Sequence, residues 1–581
     1  MAAHDLSSPL LASTTPPPPP HLVLTVDGGD DDSKSRQPTA NHQNGGRAHS
    51  KTNHHITPRS NSTTHHRNPF EFVGSDASFS APPPCTIDPF RNGTPRIDGL
   101  YEVLKILLLL PIVVIRLVLF GLCLGVGYIA TKLAILGWKD KHNPMPRWRS
   151  RLMWVTRFTA RGILFSFGYQ WIRRKGKPAP RGIAPIVVSN HVSYIDPIFY
   201  FYEMCPTIVA SESHDALPFV GTIIRAMQVI YVDRFSQPSR KNAVNEIKRK
   251  GCCDRFPRVL LFPEGTTSNG RSLLSFQLGA FIPNYAIQPV VVRYPHVHFD
   301  QSWGNISLAM LMFRMFSQFH NFLEVEYLPI VSPLDNSKEN PAHFAKRTSN
   351  AMASTLNVVQ TCHSYGDVML FMRAAESGQE KPSNFMVEMA KVESLFHIRS
   401  LEAMDFLEKF LSMNPDSSGR VRVHDFLRVL KLRPCILSEE VFAFLDVEKS
   451  GSITFKQFLY GSLHVMKQPQ FRSTCELAFS ECDILEEHEI SQHEFGDVIR
   501  LGIPDLDDAE LSDIPVTTLQ NHQVHELFKL FDVEGKGRVS KDNFTSCLRK
   551  NPLLIALFSA CLAHRDAVDD DDDNSMVEEI V

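Results

Sequence analysis

Read for its spacing of apolar and polar positions, the chain divides into five stretches. Residues 1–92 carry almost no periodic apolar residues: a proline run at 16–20, the acidic patch Asp30, Asp31 and Asp32, and scattered histidines such as His54, His55, His65 and His66. Such a composition buries too little apolar surface to offset chain entropy, so a solvated tail is predicted over 1–100. The histidines there are metal-capable, but a solvated tail accounts for them. Residues 106–136 are apolar on every face, with Arg116 the single charge between 107 and 130. That exceeds the roughly 20 residues a bilayer span requires. Pro111, Gly121, Gly125 and Gly127 permit a kink or a re-entrant hairpin, so 101–137 is predicted as a membrane segment, span or hairpin. From 182 to 363 short apolar runs alternate with helix-like stretches. Strands are predicted at 184–188, 229–232, 259–262 and 287–293. After a polar linker near 376–383 the pattern turns helical over 395–565, and 566–581 reads as an acidic tail.

Charge changes this picture through its distribution. The net charge is only −3, which does not mark a nucleic-acid binder. Yet between 139 and 181 stand Lys139, Lys141, Arg147, Arg149, Arg151, Arg157, Arg161, Arg173, Arg174, Lys175 and Lys177, opposed only by Asp140. Trp138, Trp148, Trp154, Phe165, Phe167, Tyr169 and Trp171 are interleaved. A basic, aromatic stretch beside an apolar segment fits an anionic membrane surface and puts the chain beyond residue 181 in the cytosol. The 11 cysteines form no Cys-x-x-Cys pair, which argues against a disulfide-stapled secreted protein. The first residues do not read as a secretory signal peptide.

Three of the predicted strands run directly into polar residues, where sites lie in open α/β sheets. After the first come Asn190, His191 and Asp196, the last followed by Pro197. Asp196 reads as an N-cap with proline at the first helical position, so its carboxylate can fold back onto the loop imidazole. Such a pair holds one ring nitrogen protonated and leaves the other as a base; a structural histidine is the plainer alternative. The second strand ends in Asp233 and Arg234, a guanidinium fork for a phosphate or half of a structural ion pair. The third leads into Glu264, Gly265 and Thr266, where the glycine permits close backbone approach to a ligand and the hydroxyls can hold a phosphate or an acyl oxygen.

Taken in order, these pieces resemble the glycerolipid acyltransferase family that includes the bacterial lysophosphatidic acid acyltransferases. The resemblance rests on Asn190, His191 and Asp196, on Arg234, on the run from Phe262 to Thr266, and on the proline-bearing strand with Gln288, Pro289 and Val290. It covers roughly 183–295. Gln228 departs from the family, which has glycine there. The resemblance implies that His191 is the general base on the lysolipid hydroxyl, oriented by Asp196, with direct attack on the acyl-CoA thioester. It implies that Arg234 and Glu264 position the acceptor, with Gly265 and Thr266 beside them. No cofactor is implied; acyl-CoA is the co-substrate, and the partners are lysophospholipid and membrane phospholipids.

The C-terminal loops resemble EF-hands, which place oxygen ligands at loop positions 1, 3 and 5, glycine at 6 and glutamate at 12. One runs from Asn414 through Asp416 and Ser418 to Gly419 and Asp425. A second runs from Asp446 through Glu448 and Ser450 to Gly451 and Gln457. A third runs from Asp532 to Asn543, with Lys536 at a ligand position, and a weaker one from Asp483 to Glu494. Calcium is expected, if anywhere, on Asn414, Asp416, Ser418, Asp425, Asp446, Glu448 and Ser450, though no loop with the right glycine ends in glutamate. The expected fold class is an α/β acyltransferase domain (138–375) with a membrane-anchoring hydrophobic segment, plus an all-α EF-hand-like C-terminal domain. This architecture resembles the animal lysophosphatidylcholine and plant lysophosphatidylethanolamine acyltransferases, and implies lysophospholipid acylation at the endoplasmic reticulum or Golgi. Two alternatives stay open: a glycerol-3-phosphate or lysophosphatidic acid acyltransferase, and a calcium-responsive membrane scaffold with an inactive acyltransferase fold.

Overall fold

The computed structural model describes residues 68–75, 82–83, 87–138, 142–334, 338–485, 487–501 and 521–562. The expected tail up to residue 67, the residues Lys139, Asp140 and Lys141, and the acidic run 569–573 lie outside the described residues. The chain forms two compact units; the first holds 82–421 and 454–460.

The first unit opens with residues 87–99, which pack against the acyltransferase domain. Phe90 and Asn92 are buried, so the solvated tail expected as far as 100 ends earlier. Helix α1 (Leu100–Ile135) comes next, 36 residues long and therefore about 54 Å. It is continuous, and no hairpin forms within 101–137. Pro111 stands inside it. By length and composition it is sufficient to cross a membrane. Most of its leucines, isoleucines and valines are exposed. Its narrow buried stripe meets α2 (Arg147–Ser166) through small residues. A Cβ on Gly127 would stand 2.5 Å from Thr159 Oγ1, and one on Gly162 would stand 2.5 Å from Cys123 Sγ. Such small-residue contacts allow close helix approach where apolar driving force is absent. Arg116 donates to the carbonyls of Phe316, Gln318 and Phe319.

The sheet behind these helices has seven strands: β1 (Ile172–Lys175), β2 (Ile186–Ser189), β3 (Thr207–Ser211), β4 (Ile230–Val232), β5 (Val259–Leu261), β7 (Ile287–Arg293) and β8 (Leu323–Tyr327). Their order is β1-β8-β7-β2-β5-β3-β4; β6 (Ser272–Leu273) pairs separately with β9 (Val359–Gln360). All pairings are parallel except β7 with β8. Strands β2, β5 and β7 are nearly continuous apolar runs, as strands covered on both faces must be. Side-chain alternation divides them between two cores. Val187 and Leu260 pack with Phe199, Tyr200 and Leu311 on one face. Ile186, Val188, Val259 and Leu261 pack with Ile247 and Phe344 on the other.

The four predicted strands are β2, β4, β5 and β7, each within two residues of its expected bounds. Register places the site: Val188 lies beside both Leu261 and Pro289, so the loops leaving β2 and β5 emerge side by side.

The second unit, described over 422–453, 461–485, 487–501 and 521–562 with 68–75, is helical. Its centre is a phenylalanine cluster in which Phe495, Phe531, Phe544 and Phe558 meet ring to ring. Strands Glu489–Ser491 and Arg538–Ser540 pair antiparallel between helices.

Candidate active site

The backbone leaves β2 at Ser189 and turns through 190–194 before helix α3 (Ile195–Met204) begins. Asp196 is not the N-cap expected of it: Tyr194 holds that position and Asp196 lies in the first helical turn. From there the fully buried carboxylate reaches back. Its Oδ2 accepts from Val192 N at 2.8 Å, from Ser193 N at 2.9 Å, and meets His191 Nδ1 at 2.9 Å. A helix N-terminus also favours the negative charge. The second oxygen, Oδ1, accepts from the hydroxyl of Tyr294, just past the end of β7. Burial, and then the Asp196 charge, push the Tyr294 hydroxyl far above its ordinary pKa, so it remains a donor.

With both carboxylate oxygens accepting, His191 Nδ1 carries the proton toward Asp196 and Nε2 is left as the basic nitrogen. The ring is fixed by stacking on Phe262 at 4.1 Å between centroids. Asn190 anchors the same loop to β7, donating to Val292 O at 3.0 Å and accepting from Val292 N at 2.8 Å.

The loop after β5 contributes differently from the sequence reading. Glu264, expected to face the acceptor, is fully buried. Its oxygens accept from His191 N at 2.9 Å and Leu274 N at 3.1 Å. It therefore fixes the histidine's own backbone. Burial pushes its carboxyl up to about 8 against the opposing pull of these bonds. Gly265 has φ 73° and closes a turn onto Phe262 O. The left-handed backbone is what requires glycine; a Cβ there would meet only Gln277, at 3.7 Å. Thr266 comes after it, partly buried.

Arg234 leaves β4 and lies over the ring of Tyr365 at 4.3 Å. Asp233 does not pair with it, but accepts from Phe235 N. His214, in the turn after β3, lies within electrostatic reach of both Arg234 and His191. Neither His214 nor Tyr294 belongs to a motif; Tyr294 was detectable only as a hydroxyl at the carboxyl end of a buried strand.

Gln228 has φ 55°, the left-handed backbone natural to the glycine it replaces. Its side chain accepts from Met145 N and donates to Asn143 O, tying down the chain between α1 and α2.

The calcium candidates bond largely within their own loops. Asp416 accepts from Ser418 N, Ser418 Oγ and Arg420 N. Asp446 accepts from Ser450 N and Gly451 N. Asp425 pairs with Arg428, Glu448 is exposed, and Asn414, at φ 54°, stands just past a helix end in the left-handed conformation that closes helices. Among the described residues, no three His, Cys, Asp or Glu side chains gather to hold a metal. None of the three loops with glycine at the sixth position carries the twelfth-position glutamate of a strong calcium loop; Asp425, Gln457 and Asn543 stand there.

Comparison with known proteins bears on the same residues. The Acyltransferase family model matches residues 172–293, which hold His191, Asp196, Arg234, Glu264 and Gly265. The lysophospholipid acyltransferase LPEAT2 of Arabidopsis thaliana is 64% identical over 501 residues, 86% of this chain and 90% of that protein. Human lysophosphatidylcholine acyltransferase 2 is 29% identical over 84% of this chain and 88% of its own length. The crystal structure of the 1-acyl-sn-glycerophosphate acyltransferase PlsC from Thermotoga maritima matches with a TM-score of 0.31 and 15% identity, covering 42% of this chain and 94% of that one.

Proposed function

The chain belongs to the lysophospholipid acyltransferases, and from that premise we propose that it transfers the acyl group of acyl-CoA to the free glycerol hydroxyl of a lysophospholipid, with His191 as general base. The observation that carries the mechanism is the pairing of His191 Nδ1 with a buried, four-times-bonded Asp196 at the carboxyl end of β2. His191 Nε2 takes the hydroxyl proton as the oxygen attacks the thioester carbonyl. The C–O bond forms, the C–S bond breaks, and the imidazolium returns its proton to the departing thiolate. Asp196 stabilises the imidazolium between these steps, within the contribution of about 10²–10⁴-fold that general-base catalysis makes.

Arg234 binds the acceptor phosphate. Its guanidinium rests on Tyr365 and forms no ion pair with the adjacent Asp233, which supports that role. Ethanolamine and choline lysolipids are the acceptors; the name of the Arabidopsis relative supports the lysophospholipid class, and that of the human relative supports choline. The exposed apolar length of α1 and the exposed Trp148, Trp154, Phe158 and Trp171 beside basic residues support membrane binding. We place the enzyme at the endoplasmic reticulum or Golgi membrane with its catalytic domain toward the cytosol.

A second reading concerns the C-terminal region. Gly419, Gly451 and Gly537 all have φ between 73° and 76° at the sixth position of their loops, which supports an EF-hand-like ancestry. No loop with that glycine ends in glutamate, and Lys536 occupies a ligand position in the third; we infer that activity does not depend on calcium.

The test is acyl transfer by microsomes containing the protein. Labelled oleoyl-CoA is offered with lysophosphatidylethanolamine, lysophosphatidylcholine, lysophosphatidic acid and glycerol-3-phosphate, with and without calcium. Product on the first two acceptors that disappears in His191→Ala supports the reading. Product on glycerol-3-phosphate alone would reassign the acceptor, and none on any acceptor would favour a scaffold.

A further inference from the structure

The loop that carries the catalytic pair is held by two neighbours. The carbonyl of His191 accepts from Ser268 N at 2.8 Å, and that of Val192 accepts from Trp303 N at 3.0 Å. Gly270 packs on the Val192 side chain, with a Cβ position only 3.2 Å away. The height and tilt of the His191 backbone are thus set by segments 268–270 and 300–303.

Both of those segments are in turn tied to one strap, residues 87–94, that the sequence reads as tail. The side-chain amide of Asn92, fully buried, donates to Asp300 O at 3.0 Å and Ser302 O at 2.7 Å. Asp300 answers with its carboxylate on Gly93 N at 2.8 Å, and its own N–H donates to Thr94 Oγ1 at 2.9 Å. On the other side, Asn269 donates through Nδ2 to Asp88 O at 2.8 Å and Arg91 O at 3.1 Å, and through its backbone N–H to Pro89 O at 2.7 Å. The strap also lies close on Gly304, where a Cβ would stand 2.7 Å from Asn92 N. Phe90 fixes its middle in a small core with Leu274 and Met386.

We propose that Asn92 and Asn269 are positioning residues for the acyl transfer, joining the strap to both loops that set the backbone of His191. Neither bonds His191 or Asp196 directly. They act by holding the base within the narrow geometry that attack requires, where a misplacement of about 1 Å can cost about 10²-fold. The inference rests on His191 being the base.

The test uses the full-length protein in microsomes with saturation kinetics for both substrates. Asn92→Asp keeps the shape of the side chain but cannot donate to the two carbonyls. Asn269→Ala removes the other link. Each is expected to lower kcat by about tenfold, with KM for acyl-CoA and for lysolipid within about twofold. The lost buried bonds should lower thermal stability modestly, so kcat is compared at a temperature at which each variant resists proteolysis as wild type does. Arg91→Ala, which loses an exposed side chain but keeps the carbonyl that Asn269 uses, should retain wild-type kcat. Unchanged kcat in both strap variants would overturn the proposal, as would KM rising at constant kcat. A kcat that is normal once corrected for the folded fraction, or failure of both variants to accumulate, would also overturn it, leaving a folding role. His191→Ala serves as the separate arm. If it keeps wild-type kcat, the base assignment fails; if it is inactive while both strap variants are normal, only the positioning role fails.

Discussion

Replacing Asp196 by asparagine separates charge from geometry at the catalytic pair, because the surrounding donors dictate how the amide sits. The position of Oδ2 receives three donors: Val192 N, Ser193 N and His191 Nδ1. An amide nitrogen there would leave two buried backbone N–H groups without acceptors, at about 1–3 kcal/mol each. The amide oxygen therefore takes that place, and the NH2 faces Tyr294, whose hydroxyl rotates to accept. His191 keeps its proton on Nδ1, and Nε2 stays basic. What is lost is the negative charge beside a developing imidazolium. Two unit charges about 4 Å apart interact by about 4 kcal/mol at an effective dielectric of about 20. With roughly half the proton transferred at the transition state, the loss is about 2 kcal/mol, or about 30-fold in kcat. Asp196→Ala also removes the acceptor for all three donors and frees the ring, so its loss should reach about 10³-fold or more. The assay is initial-rate acyl transfer in microsomes at saturating acyl-CoA, normalised to protein by immunoblot. If Asp196→Asn is as inactive as Asp196→Ala, the amide orientation is wrong and the tautomer is lost. If it is as active as wild type, imidazolium stabilisation is not part of the reaction.

The same geometry sets three further outcomes. Arg234→Ala should raise KM for the lysolipid by about tenfold or more while leaving KM for acyl-CoA unchanged, as loss of a charge-assisted phosphate contact requires; steady-state kinetics with each substrate varied in turn would check it. Glu264, held near 8 when folded, keeps a proton that the unfolded chain releases above its ordinary carboxylate value of 4.5. Its contribution to stability is full below that value and is lost as pH rises toward 8. Denaturant titrations of detergent-solubilised protein between pH 5 and 7.5 should therefore show a downward slope that Glu264→Gln flattens; an unchanged slope would remove Glu264 from the explanation. Gln228→Gly should be near neutral in stability, since relief of the left-handed backbone (about 1 kcal/mol) offsets the loss of two hydrogen bonds. Gln228→Ala keeps the strain and loses the bonds, and should be lower by about 1–2 kcal/mol in the same titration.

What the sequence revealed, it revealed through short spans of chain. His191 and Asp196 are five residues apart, so a strand, a loop and a helix start suffice to predict that they meet. The strands β2, β5 and β7 were visible because a strand covered on both faces has to be apolar throughout. The long apolar stretch of α1 was legible for the same reason, although its continuity as one helix was not: Pro111 and three glycines would weaken a helix in isolation, and here α2 packs along part of its length. Asp196 was misplaced by a position or two because the Asp-Pro pair matches two neighbouring cap registers. The carboxylate reaches the same donors from either.

What was not legible lies where a residue's partner is distant in sequence. The resemblance implied that Glu264 positions the acceptor, with no sign of its backbone partners. Only the tertiary structure puts the amides of His191, 73 residues earlier, and Leu274 against its two oxygens. Tyr294 bonds a carboxylate 98 residues away. Asn92 bonds carbonyls more than 200 residues away, and its polar surroundings are why 87–99 reads as tail. The C-terminal loops were read from a purely local pattern. The loop glycines were correctly seen as turn positions, but glycine at the sixth position specifies the bend and not the ligand set. Asp416 and Asp446 satisfy that bend by accepting from their own backbone amides. A local pattern thus identifies a bend of the chain, and which charge that bend serves is decided by groups the pattern does not contain. For this enzyme the consequence is concrete: the proposed catalytic pair is local, while the groups bonded to it and to its loop, among them Tyr294 and Glu264, come from remote stretches of the chain.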